Sequence, residues 1–393
     1  MTQIKPIFER LPPLLVLVLY VIAVSIGTFS GGLWGGLGIG GGLLLFALTW
    51  GIDGRRPQID GTLFRLGLVF LATIALLNLH AEYPALSWII FSREVTIVVP
   101  LCLLFSPAVQ ARLRHPRLFP VVIFAAVISA FALGLEFLFD APLLHIVKGL
   151  NAAATEYNRG ISYLVIFAFP LLAYLWRAGK RWEAAFVTLL ILFPASLTES
   201  RTTKLAFLLG LATAVAAMVL PRVTKHGLTA ILFALITFPF AVMAMFLRYP
   251  NWYAHLPQSW QHRVEIWDYM SYRIIDRPFL GWGFGSSKMM TYQQPHGDMY
   301  QWVKASAGHP HNAVLQMWVE LGVAGLALGL CFAFLMLRRA ALLPRDIAPF
   351  AYGAWVAALC TSLVAYSFWD DSLFALFALT GLAFALLARE KKV

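Results

Sequence analysis

Gly308-His309-Pro310-His311-Asn312 closes the one long stretch of this chain, Arg248 to Asn312, that lacks the apolar continuity of its surroundings. Six cationic residues fall within it: Arg248, Arg263, Arg273, Arg277, Lys288 and Lys304. On both sides the chain is overwhelmingly apolar. Of 393 residues, 60% are hydrophobic and 12% charged, and the mean hydropathy is +0.75. Soluble domains carry about 25% charged residues, so this composition is that of an integral membrane protein. A bilayer is spanned by about 20 mostly apolar residues, and such stretches recur along the whole chain. The expected fold class is an all-α integral membrane protein with one long outer loop that contains short helices.

Twelve helices are expected, over roughly 12–30, 33–50, 62–79, 94–106, 118–139, 160–177, 182–198, 204–220, 227–247, 313–337, 347–366 and 371–388. An even number puts both termini on one side. One set of connections then holds 19 of the 30 Lys and Arg, and the short connections alone divide 19 to 5. Lysine and arginine collect in cytoplasmic loops, so both termini are expected inside and the long loop outside, facing the periplasm. The chain divides into residues 1–247 with nine helices, the loop 248–312, and residues 313–393 with the last three helices. A net charge of +11 would suggest nucleic acid in a soluble protein; here it sets orientation, and membrane lipids, not nucleic acid, are the expected surroundings. Lys5 and Arg10 precede an apolar run as in a signal peptide, but the run continues to Phe29 without a small-residue cleavage site and reads as a retained first span. Cys102, Cys331 and Cys360 sit inside apolar runs and read as packing thiols, with neither disulfide nor metal-ligand spacing.

The first hairpin runs through Gly31-Gly32-Leu33-Trp34-Gly35-Gly36-Leu37-Gly38 and on to Gly42. Without a following Lys or a βαβ context this is close helix packing rather than a phosphate cradle. The connection 80–93 reads as an outer loop of interfacial aromatic character, with Arg93 beside Glu94 as a paired charge. Arg159 stands at a helix entrance on the outer face, where it either reaches a phosphate with a two-pronged hydrogen bond or snorkels to lipid. Thr198-Glu199-Ser200-Arg201-Thr202-Thr203-Lys204 is a very short outer turn, and two cations with an acid there favour an oriented Arg201 over plain turn chemistry.

Within the long loop, Ser259 to Ile275 has helical character and Arg277-Pro278 marks its end. Arg263, Trp267, Met270 and Ile274 share one face, while Glu265 and Asp268 do not stand at the neighbour spacings of Arg263. Arg263 therefore points at membrane or protein, as a functional arginine would. Gly281-Trp282-Gly283-Phe284-Gly285 offers a permissive backbone beside flat aromatic surfaces on which sugar rings stack. Pro310 stiffens the approach to His311, Asn312 suits an N-cap, and Glu320-Leu321-Gly322 is a point where the next helix breaks. His309 and His311 have no third ligand at a metalloprotein spacing.

These pieces resemble the O-antigen ligase and Wzy polymerase superfamily of bacterial envelope proteins. The resemblance rests on Glu199-Ser200-Arg201-Thr202, Arg263 with Trp267, Arg277-Pro278-Phe279-Leu280-Gly281-Trp282-Gly283, and His311-Asn312 with Glu320-Leu321-Gly322, within residues 155–337. It implies a GT-C-like membrane glycosyltransferase of the inner membrane with a periplasmic active site. The donor would be a glycan on undecaprenyl diphosphate and, in the ligase branch, the acceptor lipid A–core oligosaccharide. Carried over residue by residue, it makes His311 the catalytic residue and Arg201 and Arg263 the diphosphate ligands, with Arg159 as an addition. His309, Glu199, Asp268, Trp267 and Trp282 are candidates for the lining of the pocket.

The chemistry of the residues agrees with that implication. A departing diphosphate needs its growing charge stabilised, which arginine forks do, and an acceptor hydroxyl needs a base, which histidine supplies near neutral pH. No Asp-x-Asp pair is present to hold a divalent ion, and Asp370-Asp371 stand adjacent near a span end, so an inverting reaction without metal or cofactor is expected. An O-antigen polymerase or a protein O-oligosaccharyltransferase would use the same donor. A lipid-glycan transporter would carry mid-membrane ionisable residues and repeated halves, neither of which is evident here. In a cysteine-free background, a cysteine at Gln293 should be labelled from outside the cell and one at Arg114 should not; the opposite pattern would overturn the topology.

Overall fold

The computed structural model describes residues 5–54, 57–58, 61–149, 151–249, 252–290 and 308–390; Arg55, Arg56, Lys304, Lys391, Lys392 and the labelling position Gln293 lie outside them. Among the described residues there is no strand, and the α-helices follow in this order: α1 Lys5–Phe29, α2 Leu33–Asp53, α3 Gly61–Asn78, α4 Pro84–Leu104, α5 Pro107–Arg112, α6 Leu118–Leu138, α7 Pro142–Lys148, α8 Asn158–Arg177, α9 Arg181–Leu197, α10 Arg201–Val219, α11 Pro221–Ala234, α12 Phe238–Arg248, α13 Gln258–Asp276, α14 Ala313–Ala341, α15 Ala348–Val364 and α16 Asp371–Arg389. Each of the twelve expected apolar stretches contains a helix, with the ninth made of α11 and α12 joined by a 3-10 turn at Leu235–Thr237. Among the described residues nine helices are long and apolar enough to cross a membrane, and Phe64–Asn78 and Ala348–Val364 are shorter apolar helices. The chain is an all-helical integral membrane protein.

One expected boundary is wrong. The fourth helix begins at Pro84, not at residue 94, so the connection of the α3–α4 hairpin is short. Pro84 occupies the first turn, where its missing N–H costs nothing. Arg93, expected in the loop, is held within the helix: it donates to the Trp369 carbonyl at 2.8 Å and lies 3.4 Å from both Glu94 and Asp371.

Hydrophobic on every side, α8 is the central helix and is buried continuously from Gly160 to Ala173. Beside it α10 and α15 touch almost backbone to backbone. A Cβ on Gly210 would stand 2.8 Å from the Gly353 carbonyl and 2.5 Å from the Phe169 ring of α8. The glycines of the first hairpin pack likewise, Gly42 against the Pro100 carbonyl and Gly38 against Ala375. These close crossings bring the first residues of α8, α10 and α16 and the last of α15 to one end of the bundle.

Over that end lies a cap made of α13, the loop after it and the first turns of α14. α13 is buried all round from Val264 to Ser271, and its Val264, Ile266, Trp267, Met270 and Ile274 side chains are buried, each aliphatic or Met side chain contributing about 1.5–3 kcal/mol. Arg277 ends the helix just before Pro278. The break expected at Glu320-Leu321-Gly322 is present: Gly322 has φ 64° and ψ −163°, and below it α14 continues into the membrane. Its hydrogen atom faces the Phe279 carbonyl, from which a Cβ would be 2.1 Å away. Gly322→Ala should therefore lower stability by at least the roughly 1–3 kcal/mol of such a backbone strain. Gly36, with nothing within 4 Å of its would-be Cβ, is the control. Thermal unfolding in detergent should separate the two variants.

Candidate active site

A helix that stops leaves its last carbonyls without partners, and α15 stops at Val364. Arg263 Nε donates to the Val364 carbonyl at 3.1 Å while its NH1 donates to Ser259 O at 2.8 Å. The next carbonyl, of Ala365, is 2.8 Å from His311 Nδ1. A carbonyl only accepts, so Nδ1 carries the proton and Nε2 keeps its lone pair. His311 is itself strained, with φ 52° in the left-handed region. It is held there from both sides. Trp267 Nε1 donates to the Pro310 carbonyl at 2.9 Å, and Asn312 caps α14 by accepting from Leu315 N at 3.1 Å.

His309 stacks near His311, ring centroids 4.1 Å apart, and its buried Nε2 has no hydrogen-bond partner among the described residues. Burial, followed by the charges of His311, Lys288, Arg159 and Arg263, pushes its pKa down to about 3. Burial also lowers His311, with Arg263 and His262 adding to the effect and the bond to Ala365 opposing it. Both imidazoles are therefore neutral near pH 7, and Arg159, Arg263 and Lys288 surround them with positive potential.

Arg159, second residue of α8, pairs with Asp370 at 3.3 Å and lies 5.4 Å above the ring of Tyr366. Arg201 is the exposed first residue of α10, whose Ser200 cap accepts from Thr203 N at 3.3 Å. Among the described residues no direct contact joins Arg201 to the histidines. The two arginines are linked instead through hydroxyls: Thr198 bonds Asn158, and Ser162 Oγ lies 2.6 Å from Thr203 Oγ1.

Beneath the histidines Glu320 is fully buried. Its carboxylate accepts from Gly285 N at 2.6 Å, Ser287 Oγ at 2.5 Å, Trp369 Nε1 at 2.7 Å and Gln316 Nε2 at 3.3 Å. Backbone bonds from Trp282 N to Val319 O and from Gly283 N to Glu320 O, both 2.9 Å, lay the glycine-rich loop along α14.

The structure thus gathers Arg263, His311, His309, Trp267 and Arg159. It leaves others apart. Glu199 is exposed on its turn, Asp268 is fully buried within α13, and the ring of Trp282 faces Arg277 at 4.1 Å and Arg273 at 5.4 Å. Arg277 also pairs with Glu82 at 2.8 Å, so Trp282 is part of a strut between the cap and the α3–α4 hairpin, and its ring is taken before any sugar arrives. Among the described residues no three His, Cys, Asp or Glu side chains converge as metal ligands do. Sequence reasoning passed over Tyr366 and gave Asp370 and Glu320 no place in the site. The signal available for the first two was topology: the turn between the last two helices faces the same side as the long loop.

Residues 186–330 match the profile of the family described as O-Antigen ligase. They form an O-antigen ligase-like domain. Curated relatives include a Rickettsia felis protein called "Putative polysaccharide ligase", 26% identical over 218 residues, and a Rickettsia typhi protein of the same description, 28% identical over 220. Each alignment covers 54% of this chain and 54% of the relative, so the chain spans about half the length of the curated relatives it matches. Arg201, Arg263, His311 and Glu320 fall inside the ligase-like domain, whereas Arg159, Tyr366 and Asp370 reach the site from outside it.

The unfolded chain protonates its histidines near pH 6.5, while the folded site holds His309 neutral down to about 3. The unfolded state thus binds more protons below about pH 6.5, and stability is lost as pH falls through that window. NMR titration should place the His311 pKa below about 6.5, and Arg263→Gln, by removing a neighbouring positive charge, should raise it.

Proposed function

We propose that the protein is an inverting glycosyltransferase of the ligase type, working without metal or cofactor. It moves O-antigen glycan from undecaprenyl diphosphate to lipid A–core oligosaccharide on the periplasmic side of the inner membrane. The observation that carries this reading is the pairing of His311, whose Nδ1 is held so that Nε2 keeps its lone pair, with Arg263, both anchored on the end of α15. The family match and the ligase descriptions of the relatives support the class of reaction.

In this mechanism the acceptor hydroxyl oxygen attacks the anomeric carbon opposite the diphosphate. The new glycosidic C–O bond forms as the bond to the phosphate oxygen breaks, and the electron pair leaves with undecaprenyl diphosphate. The hydroxyl proton goes to His311 Nε2. Arg263 and Arg159, with Arg201 at the α10 entrance, stabilise the charge that grows on the leaving diphosphate. The amino-terminal ends of α8, α10 and α14 add partial positive charge at the same place. Low pKa values keep the base unprotonated beside these cations.

The test is donor binding measured beside transfer, with purified protein, lipid-linked glycan and lipid A–core. General-base catalysis is typically worth about 10²–10⁴-fold, so His311→Ala should lose turnover on that scale while keeping donor affinity. Arg263→Lys keeps the charge but loses the planar fork, and should stay seriously impaired. A His311→Ala variant that loses donor affinity yet turns over normally at saturating donor would make His311 a phosphate ligand and sink the assignment. Transfer to a second lipid-linked glycan or to protein, but not to lipid A–core, would replace the ligase reading with a polymerase or a protein O-oligosaccharyltransferase.

A further inference from the structure

Tyr366 lies outside the ligase-like domain, on the turn between α15 and α16, and it follows directly the residue whose carbonyl holds His311. Its two halves do different things. The ring lies under the guanidinium of Arg159 at 5.4 Å, an arrangement in which an aromatic face attracts the cation. The hydroxyl is 3.1 Å from Ser162 Oγ, which is 2.6 Å from Thr203 Oγ1, which in turn donates to Ser200 Oγ at 2.8 Å. That hydroxyl chain ends on the cap of α10, one residue before Arg201. Arg159 has little freedom elsewhere. Asp370 holds its fork from one side, and Gly31 crowds its stem so closely that a Cβ there would sit 2.4 Å from Arg159 Cγ.

We propose that Tyr366 is a positioning residue for the diphosphate site: its ring sets Arg159, and its hydroxyl ties the α10 entrance bearing Arg201 to the same turn that fixes His311. One residue thereby gauges the distance between the arginines and the base. This rests on the reading of Arg159 and Arg201 as diphosphate ligands. Burial keeps the phenol protonated by raising its pKa, so the hydroxyl remains a donor at any pH the site experiences. A purely structural tyrosine would serve folding alike whether or not Arg159 is present, and that difference is measurable.

The experiment is a double-mutant cycle read as affinity for undecaprenyl diphosphate in detergent micelles, with undecaprenyl monophosphate as the comparison ligand. Tyr366→Leu should weaken diphosphate binding about tenfold in the otherwise unchanged protein and distinctly less in an Arg159→Ala background, where only the hydroxyl arm is left to lose. Turnover at saturating donor should fall as well, because the arginines that Tyr366 positions also stabilise the charge on the departing diphosphate. Equal losses in both backgrounds, or no loss in the first, would overturn the proposal. If Arg159→Ala itself binds the diphosphate as well as the unchanged protein, the diphosphate reading falls, and the positioning role falls with it. Should Tyr366→Leu fail to fold, Tyr366→Phe paired with Ser162→Ala tests the hydroxyl arm by the same logic. A severalfold loss on Tyr366→Phe that disappears once Ser162 is Ala is expected, and additive losses would contradict it.

Discussion

A carboxylate with no access to water must be surrounded by donors or it destabilises everything around it, and Glu320 is the place where this constraint organises the protein. Its four donors come from three separate parts of the chain: Gly285 and Ser287 after α13, Gln316 one turn earlier on α14, and Trp369 before α16. Satisfying one side chain therefore closes the cap over the bundle. Gln316 reinforces the closure, since its Oε1 accepts from Phe368 N at 2.8 Å and its Nε2 donates to Ser367 Oγ at 3.0 Å. The kink at Gly322 lets the glycine-rich loop come close enough for these bonds to form.

Above this clamp the site is assembled almost wholly from helix ends. Amino-terminal residues supply Arg159 and Arg201, carboxy-terminal carbonyls of α15 orient Arg263 and His311, and the Asp370 cap of α16 holds Arg159. Helix ends have unsatisfied groups and partial charges of opposite sign. Placing an end carbonyl against His311 and amino-terminal ends at the same end of the bundle puts both kinds to use. The carbonyl selects a tautomer, and the positive ends favour an anion.

The features legible in the amino-acid sequence are local in their physics. Apolar runs locate the helices, the spacing of Arg263, Trp267, Met270 and Ile274 marks α13 as a helix, and Asn312 and Gly322 mark a start and a break through their own conformational preferences. The features that escape such a reading depend on partners far away. Arg93 looks like a loop residue until the Trp369 carbonyl, just before α16 and 276 residues on, is laid against it. Tyr366 acquires meaning through Ser162, 204 residues earlier, and Asp370 through Arg159. Trp282 misleads in the other direction, since arginines close by in sequence already occupy its faces.

Gly322 has a mechanical consequence as well. The part of α14 below it, to Ala341, is about 28 Å long, close to the thickness of a bilayer's hydrocarbon core. Spanning helices meet a thicker or thinner bilayer by tilting. With a hinge at Gly322, such tilting turns the lower rod alone, while the upper rod stays fastened by Glu320 to the cap and to the α15–α16 turn. His311 is in that way insulated from the elasticity of the membrane in which the helix that follows it is sunk.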